Sequence, residues 1–162
     1  MYHNTEIKKI YMQPKTTAYY PVLKAVDNAD IIVIGPGSLY TSVIPNFLSK
    51  GIIERINNSK AKKVYVVNVM TEHGEVDIIY ASHYVNEVEK YLKGKLDYVV
   101  VNTGKAPEKL LKKYEQEYKR QIIADVENIH AKVIKGDFLR KKNLLRHDSH
   151  KLAKAIKDIG EK

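Results

Sequence analysis

Three short runs constrain this chain more than anything else in it: residues 30–34 (Asp-Ile-Ile-Val-Ile), 63–69 (Lys-Val-Tyr-Val-Val-Asn-Val) and 97–101 (Asp-Tyr-Val-Val-Val). They are apolar and β-branched almost throughout rather than alternating, so they read as strands buried on both faces, the pattern of a parallel sheet. Their starts lie about thirty residues apart, the length of a βαβ unit. Helical patterns fill the gaps: Phe47, Ile52, Ile53 and Ile56 after the first run, and Tyr84, Val85, Val88, Tyr91 and Leu92 after the second. A third helix is expected to start at Pro107 as a first-turn proline and to bury Leu110, Leu111 and Tyr114. Two extended pieces follow at 121–124 and 131–134, and a closing helix buries Leu152, Ile156 and Ile159, with Asp148 or Ser149 placed to cap it. The expectation is an α/β, three-layer domain with a mainly parallel sheet, one domain over residues 1–162.

Composition narrows the function classes. With 162 residues and 44% apolar content the chain can bury one sizeable core. No apolar run reaches the length of a membrane helix, and no secretory stretch opens the chain, so a cytoplasmic protein without membrane contacts is expected. The absence of cysteine excludes disulfides, thiolate zinc sites and thiol nucleophiles. A formal charge of +9 invites a nucleic-acid reading. The basic residues argue against it, because only Arg55, Arg120, Arg140 and Arg146 are arginines, the residue that reads bases bidentately. The basic stretch 132–151 reads better as a solvated face than as a binding patch.

Ligands of an open parallel sheet bind beyond the carboxyl ends of its strands. All three ends carry small and polar residues: Gly35-Pro36-Gly37-Ser38-Leu39-Tyr40-Thr41-Ser42, then Asn68-Val69-Met70-Thr71 with Gly74-Glu75, then Asn102-Thr103-Gly104. In the first loop the glycines free the turn while Ser38, Thr41 and Ser42 set hydroxyls beside unpaired helix-start amides, a cradle suited to phosphate. It is neither a Walker A loop, having no lysine after the last glycine, nor the dinucleotide fingerprint, having Tyr40 where glycine is required. A plain turn capped by serine is the alternative. Asn68 could orient a ligand or bond loop backbone. Arg146 precedes a helix start, where the dipole disfavours a cation; either an anionic ligand or an ion pair with Asp148 or Glu127 would account for it. His147 and His150 lack a third metal ligand and read as surface residues. Glu72 and Glu75 lack the company of a nucleophile or metal set, and solvation of the crest loop is the simpler account of them.

The string from Ala29 through Asn46 resembles the signature of the gluconeogenesis factor family, relatives of the CofD phospholactate transferases. Residues 63–75, Tyr114 to Glu117, and Gly136-Asp137 leading to Leu145-Arg146-His147-Asp148 follow in the family's order, so the resemblance runs from about Ile7 to Ile159. It implies a Rossmann-like domain that binds UDP-N-acetylglucosamine and regulates the partition of carbon into cell-wall precursors and cell shape, rather than an enzyme. It implies a ligand beside Gly35 with its pyrophosphate on Gly37, Ser38, Leu39, Tyr40, Thr41 and Ser42, with Asn68 and Thr71 at the next crest and Tyr114 and Arg146 arriving from the C-terminal segment. No cofactor or metal is implied. Family chains are about twice as long and open with Gly-Gly-Gly-Thr-Gly and Asp-Asp-Gly-Gly segments that do not occur here, so the N-terminal half of the fold is expected to be missing. A separate chain carrying that half, or a homodimer, is the partner expected. The alternatives are a phosphotransferase resembling the 2-phospho-lactate transferases, which would need the acidic segment of that half, and a structural fragment that binds no ligand.

Overall fold

The computed structural model of the protein describes residues 7–75, 79–141 and 144–161. The three apolar runs form β1 (Ile31–Ile34), β2 (Lys62–Val66) and β3 (Tyr98–Asn102), adjacent and parallel, with Val33 opposite Val64 and Val64 opposite Tyr98. A fourth parallel strand, β4 (Lys132–Gly136), lies beside β3, giving the order β1-β2-β3-β4. Both faces are covered. Ile34, Tyr65, Val67, Val99 and Val101 pack under α2 (Ile52–Asn58) and α3 (Ala81–Leu92), while Val64, Val66 and Val100 pack under α5 (Ser149–Gly160). Val64, Val66, Val99 and Val100 have no exposed surface. Each such side chain contributes roughly 1.5–3 kcal/mol by burial, which is why the runs show no polar alternation.

The segment after β1 departs from the expected single helix. Leu39–Val43 forms a wide π-helical turn, Ile44–Leu48 a 3-10 turn, and α2 begins only after Gly51 at φ +97°. Pro45 has no amide to continue an α-helical ladder, and the left-handed glycine turns the chain before α2. Two elements had no counterpart in the sequence reading. The first is α1 (Tyr20–Asp27), which precedes β1. The second is an antiparallel hairpin of β5 (Leu139–Lys141) and β6 (Leu145–His147), whose pattern is only three residues long on each side and lies inside a basic stretch. Its inward Leu139 and Leu145 alternate with exposed Arg140 and Arg146.

Residues 121–124 form no strand. They cross the crest instead, meeting residues beyond β2 through a Met70–Gln121 bridge and the bonds Thr71 N to Arg120 O (2.8 Å) and Ile122 N to Val69 O (2.9 Å). Pro107 stands just before α4 (Glu108–Gln116) rather than in its first turn. Asp148 caps α5 as expected, accepting from the amides of His150 and Lys151 at 3.1 Å each.

Candidate ligand-binding crest

Gly35 ends β1 with φ +77°, and a β-carbon there would sit 3.1 Å from the Val66 carbonyl oxygen, so the turn needs glycine on both counts. The chain then passes over the ring of the fully buried Tyr65 and is tied to the neighbouring strand end, where Gly37 N donates to Asn68 Oδ1 at 2.9 Å. Asn68 therefore bonds loop backbone, as one of its two readings held, and its amide nitrogen has no partner among the described residues.

Beyond Ser38 the geometry corrects the sequence reading of Glu75. Its side chain is buried at 9% exposure, and its carboxylate accepts from Tyr40 N (3.4 Å), Thr41 N (3.1 Å) and Thr41 Oγ1 (2.5 Å). Solvation does not describe it. An internal anion occupies the amides of the first turn, the arrangement that favours negative charge at a helix start. The signal was present in the sequence as an acid just after Gly74, but only the fold carries it 35 residues back to the first crest. Beneath this contact lie the hydroxyls of Tyr65 and Tyr84, both buried and without a partner among the described residues. Burial pushes both phenols up, reinforced for Tyr65 by Tyr84 and for both by the Glu75 charge. Glu72 pairs with Lys119 at 3.0 Å.

What remains open at the first crest is narrower than the whole loop. Among the described residues the amides of Ser38 and Leu39 and the hydroxyls of Ser38 and Ser42 have no protein partner. The Leu39 side chain is core at 1% exposure, and Tyr40 is buried with its hydroxyl donating to Glu87 at 3.0 Å. Thr71 is 3% exposed, and its hydroxyl accepts from Arg120 N at 2.9 Å, clamping the crossing segment. At the third crest Asn102 Oδ1 accepts from Phe138 N (3.0 Å), Asn102 Nδ2 donates to Gly104 O (2.9 Å), and Gln121 Nε2 donates to the same carbonyl (2.8 Å). Asn102 and Gln121 thus hold that loop, a role only the tertiary contacts reveal.

Tyr114 packs with Val69, Leu139 and Leu145, and its hydroxyl accepts from Leu145 N at 3.2 Å. That contact seats the β5–β6 hairpin against the crest of β2. On its outer face Arg146 lies directly across from Arg140, both exposed. Neither has an acidic partner among the described residues, so the ion pairs with Asp148 or Glu127 do not form. Like charges opposite each other on a hairpin are destabilising. His147 is oriented inward, its Nε2 buried without a partner, and burial holds its pKa below the ordinary value. No group of three or more His, Asp or Glu side chains that could hold a metal occurs among the described residues.

The CofD family, described as 2-phospho-L-lactate transferase CofD, matches residues 1–139. The gluconeogenesis factor of Bacillus subtilis is 36% identical over 97% of this chain and 51% of its own length. A putative gluconeogenesis factor of Thermotoga maritima is 40% identical over 95% of this chain and 51% of its own. The chain belongs to the CofD-related gluconeogenesis factor family. A crystal structure of a UPF0052 family protein from Bacillus halodurans superimposes with a TM-score of 0.90 at 36% identity, over 95% of this chain and 52% of that one. This gluconeogenesis factor homologue therefore spans about half the length of the relatives it matches. No helix among its described residues is long and apolar enough to cross a membrane.

Proposed function

We propose that this chain supplies one wall of a UDP-N-acetylglucosamine site in a cytoplasmic regulator that tunes carbon flow into peptidoglycan precursors and cell shape. The observation that carries the reading is the first crest, where a glycine loop pinned by Asn68 leaves the Ser38 and Leu39 amides and the Ser38 and Ser42 hydroxyls uncommitted at the carboxyl end of a parallel sheet. A pyrophosphate at that spot takes amides that Glu75 does not already occupy. The facing arginines Arg140 and Arg146 support an anionic ligand as well, because an anion between them relieves their mutual repulsion.

The test is calorimetric titration of UDP-N-acetylglucosamine, UDP and N-acetylglucosamine 1-phosphate into a fusion of this chain with the half of the Bacillus halodurans relative that it does not span. Saturable binding of the sugar nucleotide that is lost in Ser38→Ala/Ser42→Ala supports the reading; no heat at high concentration overturns it. A second reading, transfer of a phospholactate group as the CofD family's description names it, is compatible with the family match over residues 1–139. Transfer of the phospholactate group from a nucleotide-activated donor to the hydroxyl of an added acceptor by the same fusion, with one nucleotide released per product formed, would favour it over regulation.

A further inference from the structure

The first crest holds an anion of its own. Glu75 Oε1 accepts from Thr41 N (3.1 Å) and Thr41 Oγ1 (2.5 Å), and Glu75 Oε2 accepts from Tyr40 N (3.4 Å). The side chain is buried, and no cation pairs with it among the described residues. Lys119, on the segment that crosses the crest, is committed to Glu72 at 3.0 Å and Glu117 at 3.6 Å. The Tyr65 and Tyr84 hydroxyls are buried without a partner, and burial, with the Glu75 charge after it, pushes both phenols up. The carboxylate is thus held in place by three donors, while its field reaches its surroundings without a counter-ion. The uncommitted amides of Ser38 and Leu39 immediately precede the two that Glu75 occupies. Successive residues lie about 3.8 Å apart, so an anion on the first pair sits roughly 6 Å from the carboxylate. At that separation and the effective dielectric of a protein surface, each further negative charge weakens binding on the order of a hundred-fold. Arg140 and Arg146 act in the opposite sense, since a pair of cations holds an anion more tightly the more charge it carries.

We infer that Glu75 determines the specificity of this crest: a fixed internal anion that admits a pyrophosphate diester and turns away nucleotides ending in a free phosphate. A pyrophosphate diester bears about two negative charges, UDP about three and UTP about four, because a terminal phosphate has lost most of its second proton at neutral pH. With the arginines alone, the more highly charged nucleotides would bind first. With Glu75 beside the open amides, each extra charge is opposed where the phosphates sit. The ligand class selected is a nucleoside diphosphate whose outer phosphate is esterified. The inference rests on the sugar-nucleotide reading for its ligand and adds the residue that excludes the competitors.

The experiment compares the unsubstituted protein with Glu75→Gln, which keeps the shape and an acceptor oxygen and removes the charge. In the fusion with the Bacillus halodurans half, calorimetry of UDP-N-acetylglucosamine, UDP and UTP should rank the sugar nucleotide first, and Glu75→Gln should raise the affinity of UTP relative to it at least about tenfold. In the full chain by itself, the Ser38 and Leu39 amide resonances titrated with inorganic pyrophosphate should give a dissociation constant at least about tenfold lower in Glu75→Gln. Saturable sugar-nucleotide binding with an unchanged UTP ratio overturns the inference and leaves the ligand reading standing. No sugar-nucleotide binding by either fusion, with pyrophosphate still favoured by Glu75→Gln, overturns the ligand reading and keeps Glu75 as the charge selector. Pyrophosphate binding indifferent to the substitution overturns the inference. Should Glu75→Gln fail to fold by circular dichroism, the unsubstituted fusion carries the test: its preference for the sugar nucleotide over UTP should narrow between about 0.05 and 0.5 M salt, as the repulsion is screened. A preference that salt leaves alone overturns the inference.

Discussion

Glu75 is the residue on which the first crest turns. Its carboxylate satisfies two backbone amides and a hydroxyl that would otherwise face a ligand or water. Glu75→Ala should destabilise the fold by about 1.5–3 kcal/mol, the usual loss for charge-assisted bonds, with Glu75→Gln in between; urea unfolding of the three proteins checks the order. Equal midpoints would mean that water replaces the carboxylate without loss. Arg146 tests the ligand side. In a complete site Arg146→Ala should cost roughly 1.5–3 kcal/mol of sugar-nucleotide binding and Arg146→Lys less, because lysine keeps the charge and loses the planar fork. Calorimetry at fixed salt decides it, and unchanged affinity in Arg146→Ala would return Arg146 to the solvated surface. Asn68 and Glu75 were both visible as crest residues in the sequence; which backbone groups they hold was not, because the partner of Asn68 lies 31 residues away and those of Glu75 lie 34 and 35.

Among the elements, α3 shows how local signals can be absent and a helix still be well ended. Tyr80 offers no side-chain cap, and the cap comes from Asp125, which accepts from Ser82 N at 2.9 Å and from the Ser82 hydroxyl. At the other end Glu89 accepts from Leu96 N (3.0 Å) and Lys95 Nζ (2.8 Å). Burial pushes both carboxyls up, but these hydrogen bonds outweigh it and hold both below the usual carboxylate range. A carboxyl with a lowered folded pKa contributes stability that is present above its unfolded pKa and lost as pH falls through the folded one. Stability from this pair should therefore be full near neutrality and fall below about pH 4. His147, buried and lowered, adds a loss that starts as pH falls below about 6.5, because unfolding lets it take a proton. Urea midpoints from pH 7 to pH 3 should decline in two stages, with Asp125→Asn flattening only the lower one. A single late stage would show that His147 is not held neutral by the fold.

At the scale of the whole molecule, the chain presents the crest proposed as one wall of a site and, among the described residues, one sheet edge at β1 that no strand covers. The isolated chain should bind UDP-N-acetylglucosamine weakly or undetectably: losing two charge-assisted hydrogen bonds at roughly 1.5–3 kcal/mol each lowers affinity on the order of a hundred- to ten-thousand-fold. Micromolar binding by calorimetry of the chain alone would show that the complementary half contributes little to recognition.

By itself the sequence determined the parallel sheet and its order of burial, because strands covered on both faces leave uniform β-branched runs that need no tertiary context to read. It also marked the Gly35 and Gly37 turn and narrowed the cap of α5 to Asp148 or Ser149, of which the structure uses Asp148, both set by residues within a few positions of one another. Only the tertiary structure decided that Glu75 fills part of the predicted phosphate cradle, that Tyr114 seats a hairpin, that Thr71 clamps the crossing segment, and that Arg146 faces Arg140. The physical reason is distance along the chain. Helix and strand patterns are written in neighbours of period 3.6 or 2, whereas the partner of a polar side chain is whichever group the packed core brings within about 3 Å, and nothing local encodes it.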